Sequence, residues 1–588
     1  MSNLKEAFTR YLDVRENSIQ IIALIVNGIL IFFILAPILT ILIKAIITEK
    51  GISFDYFSIF MANPYYREAL YATFMAALFT VIGTSLIGIP LAYIMVRYEF
   101  PLKKIFSILI LLPMIMPPFV GALGLYKILG INGVVNLVLV QYLGILQQPI
   151  NFLYGDMVLF QFGPYDKVLL PYGIVLINTI HLYPLVYLNC AASLANIDPS
   201  LEEQAENLGA RGFYLFRTVT FPLMKPGLIA GLVLVFIWTF SDLGTPLIVH
   251  YFKYLSIIVF FKLYEIRAGS PSPVSYVIGF IMIFVAFITL IISRKYISLR
   301  KYVMLFAGGR LVKREIKPTG FKLVLVYIFL TFLSLIALSP HIGLTLVAFS
   351  EKWVLTLFPE SLTLEHFNKV APWSAPYLAN SIIYSVIAAL IDIVLGAFIA
   401  YVVSRKLFVG DDFMDLISTL PLAVPGVIIG LGYWAMFYKV PLLDPMRYTP
   451  IILTIAYSMR RLPYTVRAAY AGMLQIDEAL EEASINLGAT RITTFRKITL
   501  PLLIMSLFAG GILSFVNAMI EVSTTFLLVS TSQYAPATWF MYFMAFADPR
   551  NGLAMASALG VIFVLIVAAA IIIVNKVLGA RMGSVFRL

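Results

Sequence analysis

The sequence predicts an all-α polytopic membrane protein of twelve spanning helices, built as two parallel six-helix repeats. Three observations lead to that class. Of 588 residues 61% are hydrophobic and 12% charged, with mean hydropathy +0.95, more apolar surface than a soluble fold of this size hides. Apolar runs of about 20 residues or more recur along the chain, the length a helix needs to cross a hydrocarbon core ~30 Å thick. Large parts of the chain also repeat. Lipid offers no partners for backbone amides, so such runs are expected as helices, and the alternation of a barrel strand is absent.

Taken in order, residues 1–19 read as a charged tail leading into an uncleaved first span rather than a removable leader. Spans are expected at 20–46, 68–96, 104–128, 169–192, 225–250 and 272–293, which makes 20–293 the first domain. Residues 294–321 form a basic linker, its "RKYISLRKYVMLFAGGRLVKREIKP" suited to lying near anionic lipid. The second domain, 322–588, holds expected spans at 322–349, 379–404, 412–438, 449–472, 502–530 and 552–577. With the N-terminus inside, the segments assigned to the cytoplasm hold most of the loop Lys and Arg, and the C-terminus is then cytoplasmic too. The net charge of +12 is therefore a topological signal and not a nucleic-acid footprint. Cys190 is the single cysteine, which excludes an internal disulfide and any CxxC metal site.

"IDPSLEEQAENLGARGFYLFRTVTFPL" (197–223) returns as "IDEALEEASINLGATRITTFRKITLPL" (476–502), with 14 of 27 positions identical at an offset of 279. Upstream the offset is 308: "LIGIPLAYIMVR" (86–97) matches "VLGAFIAYVVSR" (394–405). "LPMIMPPFVGALG" (112–124) matches "LPLAVPGVIIGLG" (420–432), with Pro113/Pro421 and Pro117/Pro425 in register. Six spans per half in the same sense make the repeats parallel. The change of offset places 29 additional residues within 129–170, expected as an outer-face loop carrying a short interfacial helix.

The repeated polar stretch has its own construction. Asp198 is placed to cap a helix with Pro199 at its first position, and Glu202 and Glu203 lie in the first turn near the positive end of the helix dipole. Leu201, Ala205 and Leu208 fall on one stripe, and Gly209 is placed as a left-handed terminator. A second short helix with Phe216 and Arg217 follows before Pro222. The other copy repeats this with Asp477, Leu480, Glu481, Glu482, Ala483, Leu487, Gly488, Phe495, Arg496 and Pro501. A mere connector needs no such design. A docking surface shown twice to a partner with two equivalent subunits does, although a pair of loops packed on their own helix ends, similar by duplication alone, would look the same.

At these residues the chain resembles the binding-protein-dependent ABC importer permeases, whose cytoplasmic signature is Glu-Ala-Ala, three residues, Gly, nine residues, Ile-x-Leu-Pro. Here it reads Glu203-Gln204-Ala205…Gly209…Val219-Thr220-Phe221-Pro222 and Glu482-Ala483-Ser484…Gly488…Ile498-Thr499-Leu500-Pro501. Gln204, Ser484, Val219 and Phe221 depart from it while the spacing is kept. Two copies in one chain are similar to the fused permeases of the ferric iron, thiamine and aminoethylphosphonate group. The resemblance implies the ABC type I importer permease fold and a place in the inner or plasma membrane. It also implies that 197–223 and 476–502 are coupling loops for two copies of a cytoplasmic ATPase, and that an extracytoplasmic solute-binding protein is a partner. ATP and Mg would be bound by the ATPase and not by this chain. Ferric iron leads the implied solutes by family frequency, ahead of thiamine, aminoethylphosphonate or polyamine.

No catalytic residue or metal site is expected, and no phosphate loop of the GxxxxGK[ST] kind occurs. Acids inside spans are pathway candidates by default. Asp242 aligns with Glu521, each with a threonine on the next turn, Thr245 and Thr524; two acids facing one axis could attract a cation or hold a gate, or could each simply cap a helix. Asp392 stands opposite Thr84. His181 aligns with Arg460, followed by Arg461, and Pro184 with Pro463, marking a bend in each fourth span. Pro113, Pro117, Pro421 and Pro425 break matching spans, to shape a cavity or for packing. An alternative reading is an ion-coupled secondary transporter of the twelve-span type using Asp242 and Glu521. Against it stand the loop pattern and the lack of a repeated basic motif after the second span of each half.

Overall fold

The computed structural model describes residues 17–48, 51–162, 166–267, 273–298, 316–548 and 551–579. Most of the N-terminal tail and of the 294–321 linker lies outside them.

The helices are α1 Ser18–Ile46, α2 Pro64–Arg97, α3 Lys103–Leu109, α4 Pro118–Leu129, α5 Tyr172–Ala195, α6 Pro199–Asn207, α7 Gly212–Phe240, α8 Leu255–Arg267 and α9 Pro273–Ile292. The second half has α10 Phe321–Phe349, α11 Glu365–Ser404, α12 Asp411–Thr419, α13 Gly426–Phe437, α14 Thr449–Met473, α15 Glu478–Asn486, α16 Arg491–Met519, α17 Ala537–Ala547 and α18 Gly552–Ile573. Ten helical segments among the described residues are long and apolar enough to cross a membrane. The pair Asp411–Leu422 and Gly426–Phe437, bent by 110°, makes an eleventh. α14 is as long as the others at 25 residues but carries Arg460, Arg461 and Arg467. Twelve spans are compatible with this set.

Each half centres on a three-helix bundle, α2–α5–α7 in the first and α11–α14–α16 in the second. The first helix of each half leaves its own bundle. α10 packs on α4 of the first half, and α1 on α13 of the second. At the first crossing two glycines meet: a Cβ on Gly124 would lie 2.1 Å from the carbonyl oxygen of Pro340, and one on Gly343 at 2.1 Å from that of Gly124. Only glycine permits so close a backbone approach.

Three expectations change. The third span of each half, expected as one run at 104–128 and 412–438, is split into two helices at the matching prolines: Pro113 and Pro421 sit in single 3₁₀ turns, and Pro117 and Pro425 hold extended backbone immediately before α4 and α13. Proline lacks the amide that would continue the ladder, so the helix restarts after it. The fifth spans begin earlier and end sooner than 225–250 and 502–530, stopping at Phe240 and Met519. The apolar run continues into short separate helices, Gly244–Ile248 and Ser523–Leu528, which hydropathy cannot tell from an unbroken span. The additional residues of the first half contain a hairpin as well as helix, Met157–Phe162 pairing with Asp166–Leu170. An ion pair of 2.6 Å between Arg67 and Asp166 ties it to α2.

Candidate functional site

The two polar elements fold alike. Asp198 accepts a hydrogen bond from the Ser200 amide at 2.9 Å and Asp477 from the Ala479 amide at 3.0 Å, capping α6 and α15. Gly209 and Gly488 take φ of +94° and +90°. Past them the Ala210 and Ala489 amides reach back to the Ala205 and Ser484 carbonyls at 2.9 and 3.2 Å, while Gly209 and Gly488 bond Glu206 and Ile485. That paired pattern satisfies the last carbonyls of a helix and turns the chain sharply. Each returning helix of the element, Gly212–Leu215 and Arg491–Thr494, enters its span through a π turn, Phe216–Thr220 and Phe495–Thr499.

The adjacent glutamates divide into two roles. Glu202 is 3% exposed and Glu481 6%. Glu202 accepts from Arg97, which ends α2, at 2.8 Å and from the Thr220 hydroxyl at 2.7 Å. Glu481 accepts from Arg405 at 3.2 Å and from Thr499 at 3.0 Å. These buried pairs fix the elements to the bundles. Glu203, Glu482, Ala483, Arg217, Arg496, Pro222 and Pro501 are exposed, and Ala205 is half-buried. Leu208 and Leu487, at 90% and 89% exposure, stand free at the tip. A leucine so presented on a short amphipathic helix has no packing role within the chain. Arg97, Arg405, Thr220 and Thr499 were absent from the sequence-based site residues, although each is identical in both copies.

The elements differ in their braces. Arg405 also bonds Glu478 at 3.1 Å and the Ile476 carbonyl at 3.0 Å, whereas Pro199 occupies the place of Glu478 in the first copy. There the segment before α10 steps in: Ile316 pairs with the backbone of Arg97 and Glu99 at 2.8 and 3.0 Å. It helps enclose a cavity of about 290 Å³ with Arg97, Glu202, Glu206, Lys317 and Lys322.

The aligned acids sit where the fifth spans end. Asp242 and Glu521 each accept from the amide three residues on, Thr245 and Thr524, at 3.2 Å, capping the short helices that follow. The two breaks meet across the halves, since a Cβ on Gly244 would come within 3.2 Å of Val522. Beyond this the acids diverge. Asp242 has the Asn178 amide at 3.1 Å. Glu521 is clamped by both Arg460 and Arg461, and Arg460 also reaches the Thr524 hydroxyl at 3.0 Å. Both acids thus cap a helix, as one of the sequence readings had it, and they differ in that Glu521 is held in an ion-paired cluster. Asp392 is fully buried between serines of two neighbouring helices, Ser458 at 2.6 Å and Ser514. His181, in place of Arg460, points to a separate crevice beside Pro113.

The sequence pattern of the binding-protein-dependent transport system inner membrane component matches residues 85–301 and again 392–584. The chain is 29% identical over 483 residues to the ferric transport system permease protein FbpB of Actinobacillus pleuropneumoniae, covering 81% of this chain and 66% of that one. It is 30% identical over 435 residues to a putative ferric transport system permease protein, FbpB 1, of Haemophilus influenzae, covering 73% and 64%. The alignments thus span about two thirds of these relatives' length. A molybdate/tungstate transport system permease protein of Pyrococcus furiosus is 28% identical over 241 residues, which is 93% of that protein but 40% of this chain.

Proposed function

The chain belongs to the binding-protein-dependent transport system inner membrane components, and from that premise we propose that it forms the whole transmembrane path of an ATP-driven importer. It is a multi-pass inner membrane protein and a transport permease, with nucleotide hydrolysis left to separate subunits. In our reading α6 and α15 are coupling helices on the cytoplasmic side, each seated in a cleft of one ATPase copy. The observation that carries this is the matched construction of the two elements: the same cap, the same left-handed glycine, the same buried Glu–Arg–Thr anchor and the same exposed leucine. Rigid anchoring of each element to its bundle lets closure of two ATPase subunits move the halves against one another. A solute-binding protein would deliver cargo to the opposite face.

Ferric iron is the cargo we propose first, on the names of the two relatives that align over most of this chain. Asp242, with hydroxyl and amide neighbours, offers hard oxygen ligands of the kind such an ion prefers. Purification of the tagged chain in mild detergent should recover an ATPase at two copies per chain. Replacing Leu208 and Leu487 together by aspartate should release it without unfolding the chain. A chain that purifies alone and transports on an ion gradient without ATP would sink this reading. Iron uptake by cells carrying and lacking the chain then tests the cargo.

A further inference from the structure

Where α10 crosses the broken third span of the first half, a cavity of about 10 Å³ remains, lined by His181 of α5, His341 of α10 and Met116 of the break, with Pro113 and Ile177 among its walls. Both ring nitrogens of His341 are buried and unpartnered; the Ala337 backbone one turn back is near, but no hydrogen bond of ordinary geometry forms. A buried donor or acceptor left without a partner carries its desolvation penalty uncompensated, so an imidazole placed this way is expensive unless something else engages it. His181 stands beside the Pro113 backbone on the wall of the same cavity. The two rings come from different halves and line the same small cavity.

The other crossing, of α1 over α13, shows that this set is not needed for packing. Its cavity has the same volume of about 10 Å³ and is lined by Phe33, Pro37, Ile38, Tyr433 and Met459 among others, with no imidazole. Ile38 follows Pro37 there as His341 follows Pro340, and Arg460, the counterpart of His181, binds Glu521 instead.

We propose that His181, His341 and Met116 form a site for a soft monovalent cation of the copper(I) class. A thioether beside two imidazoles selects a soft ion. Among apolar walls a single charge with a low coordination number is tolerated where a divalent ion would lack compensation. The volume suits a bare ion and is at the lower limit for even one water. Such an ion would join the halves, with two ligands from the first and one from the second, and so hold the crossing of α10 in place. This inference is independent of the cargo.

The test is an anaerobic titration of the purified full chain with silver(I), a redox-inert probe for copper(I), against a chromogenic chelator. One ion per chain should remain at chelator concentrations that strip surface sites. H341F and M116L should each weaken its retention by about tenfold or more, while C190S leaves it unchanged. X-ray absorption of the retained ion should report two nitrogens and one sulfur. Equal retention by wild type, H341F and M116L, or no ion retained by wild type, overturns the site. Should H341F fail to fold, M116L and the absorption spectrum still decide. Neither readout uses transport, so failure of the importer reading and failure of this site remain separate.

Discussion

The polar elements at α6 and α15 and the breaks after Phe240 and Met519 are both repeated, yet only the first pair stayed alike. In the elements the cap, the turn, the Glu–Arg–Thr anchor and the free leucine recur residue for residue. At the breaks one acid has an asparagine and the other two arginines. Symmetry survived where each copy faces a partner of its own in our reading. In the same reading it was lost where both copies face one shared axis, since a single solute path would place no demand for equality on its two walls. Electrostatically the second-half break carries one more cation than its acid can offset, and the first-half break carries an acid with no cation among its hydrogen-bond partners.

The sharpest way to break that comparison is at the acids. Glu521→Gln leaves the largely buried Arg460 and Arg461 without a carboxylate, and uncompensated buried charge costs about 3–5 kcal/mol. Its melting temperature in detergent should fall steeply, whereas Asp242→Asn should melt close to wild type. Equal effects would mean the breaks are more alike than their partners suggest. Next come the anchors. Glu202→Ala strips Arg97 of its carboxylate, while Glu481→Ala leaves Arg405 with Glu478. The first should cost about 3 kcal/mol and the second clearly less, compared by thermal unfolding of the two single variants. Gly209→Ala and Gly488→Ala force a side chain into left-handed backbone, at about 1 kcal/mol each, and should act equally. A large difference between them would show that the elements are not equivalent. The smallest effect is expected for Leu208→Ala and Leu487→Ala, within about 0.5 kcal/mol in stability, with their consequence confined to ATPase recovery.

Local chemistry made the polar elements legible in the sequence. Asp-Pro, the glycine eleven residues after Asp198, and the mirrored copy specify cap and terminator without reference to anything distant. Hydropathy likewise located the spans. What it could not show was which face of α6 is buried, because Glu202 and Glu203 are neighbours and only the position of Arg97 decides between them. Nor could it place the ends of α7 and α16, since the apolar run resumes in 244–248 and 523–528 after only a few residues and the backbone there is capped by acids rather than continued as a ladder. The partners of Glu521 lie some 60 residues away on α14. The alignment set His181 opposite Arg460 but carried no hint that one would turn to a cavity and the other to an acid.

The exchange of first helices also has a consequence in time. α4 is made early, yet the helix that covers it, α10, lies about 200 residues further along and leaves the ribosome roughly 10–40 s later at ordinary elongation rates. During that interval the groove around Gly124 has no resident partner. The first half therefore cannot finish folding as it is synthesised, and its completion is timed by translation of the second.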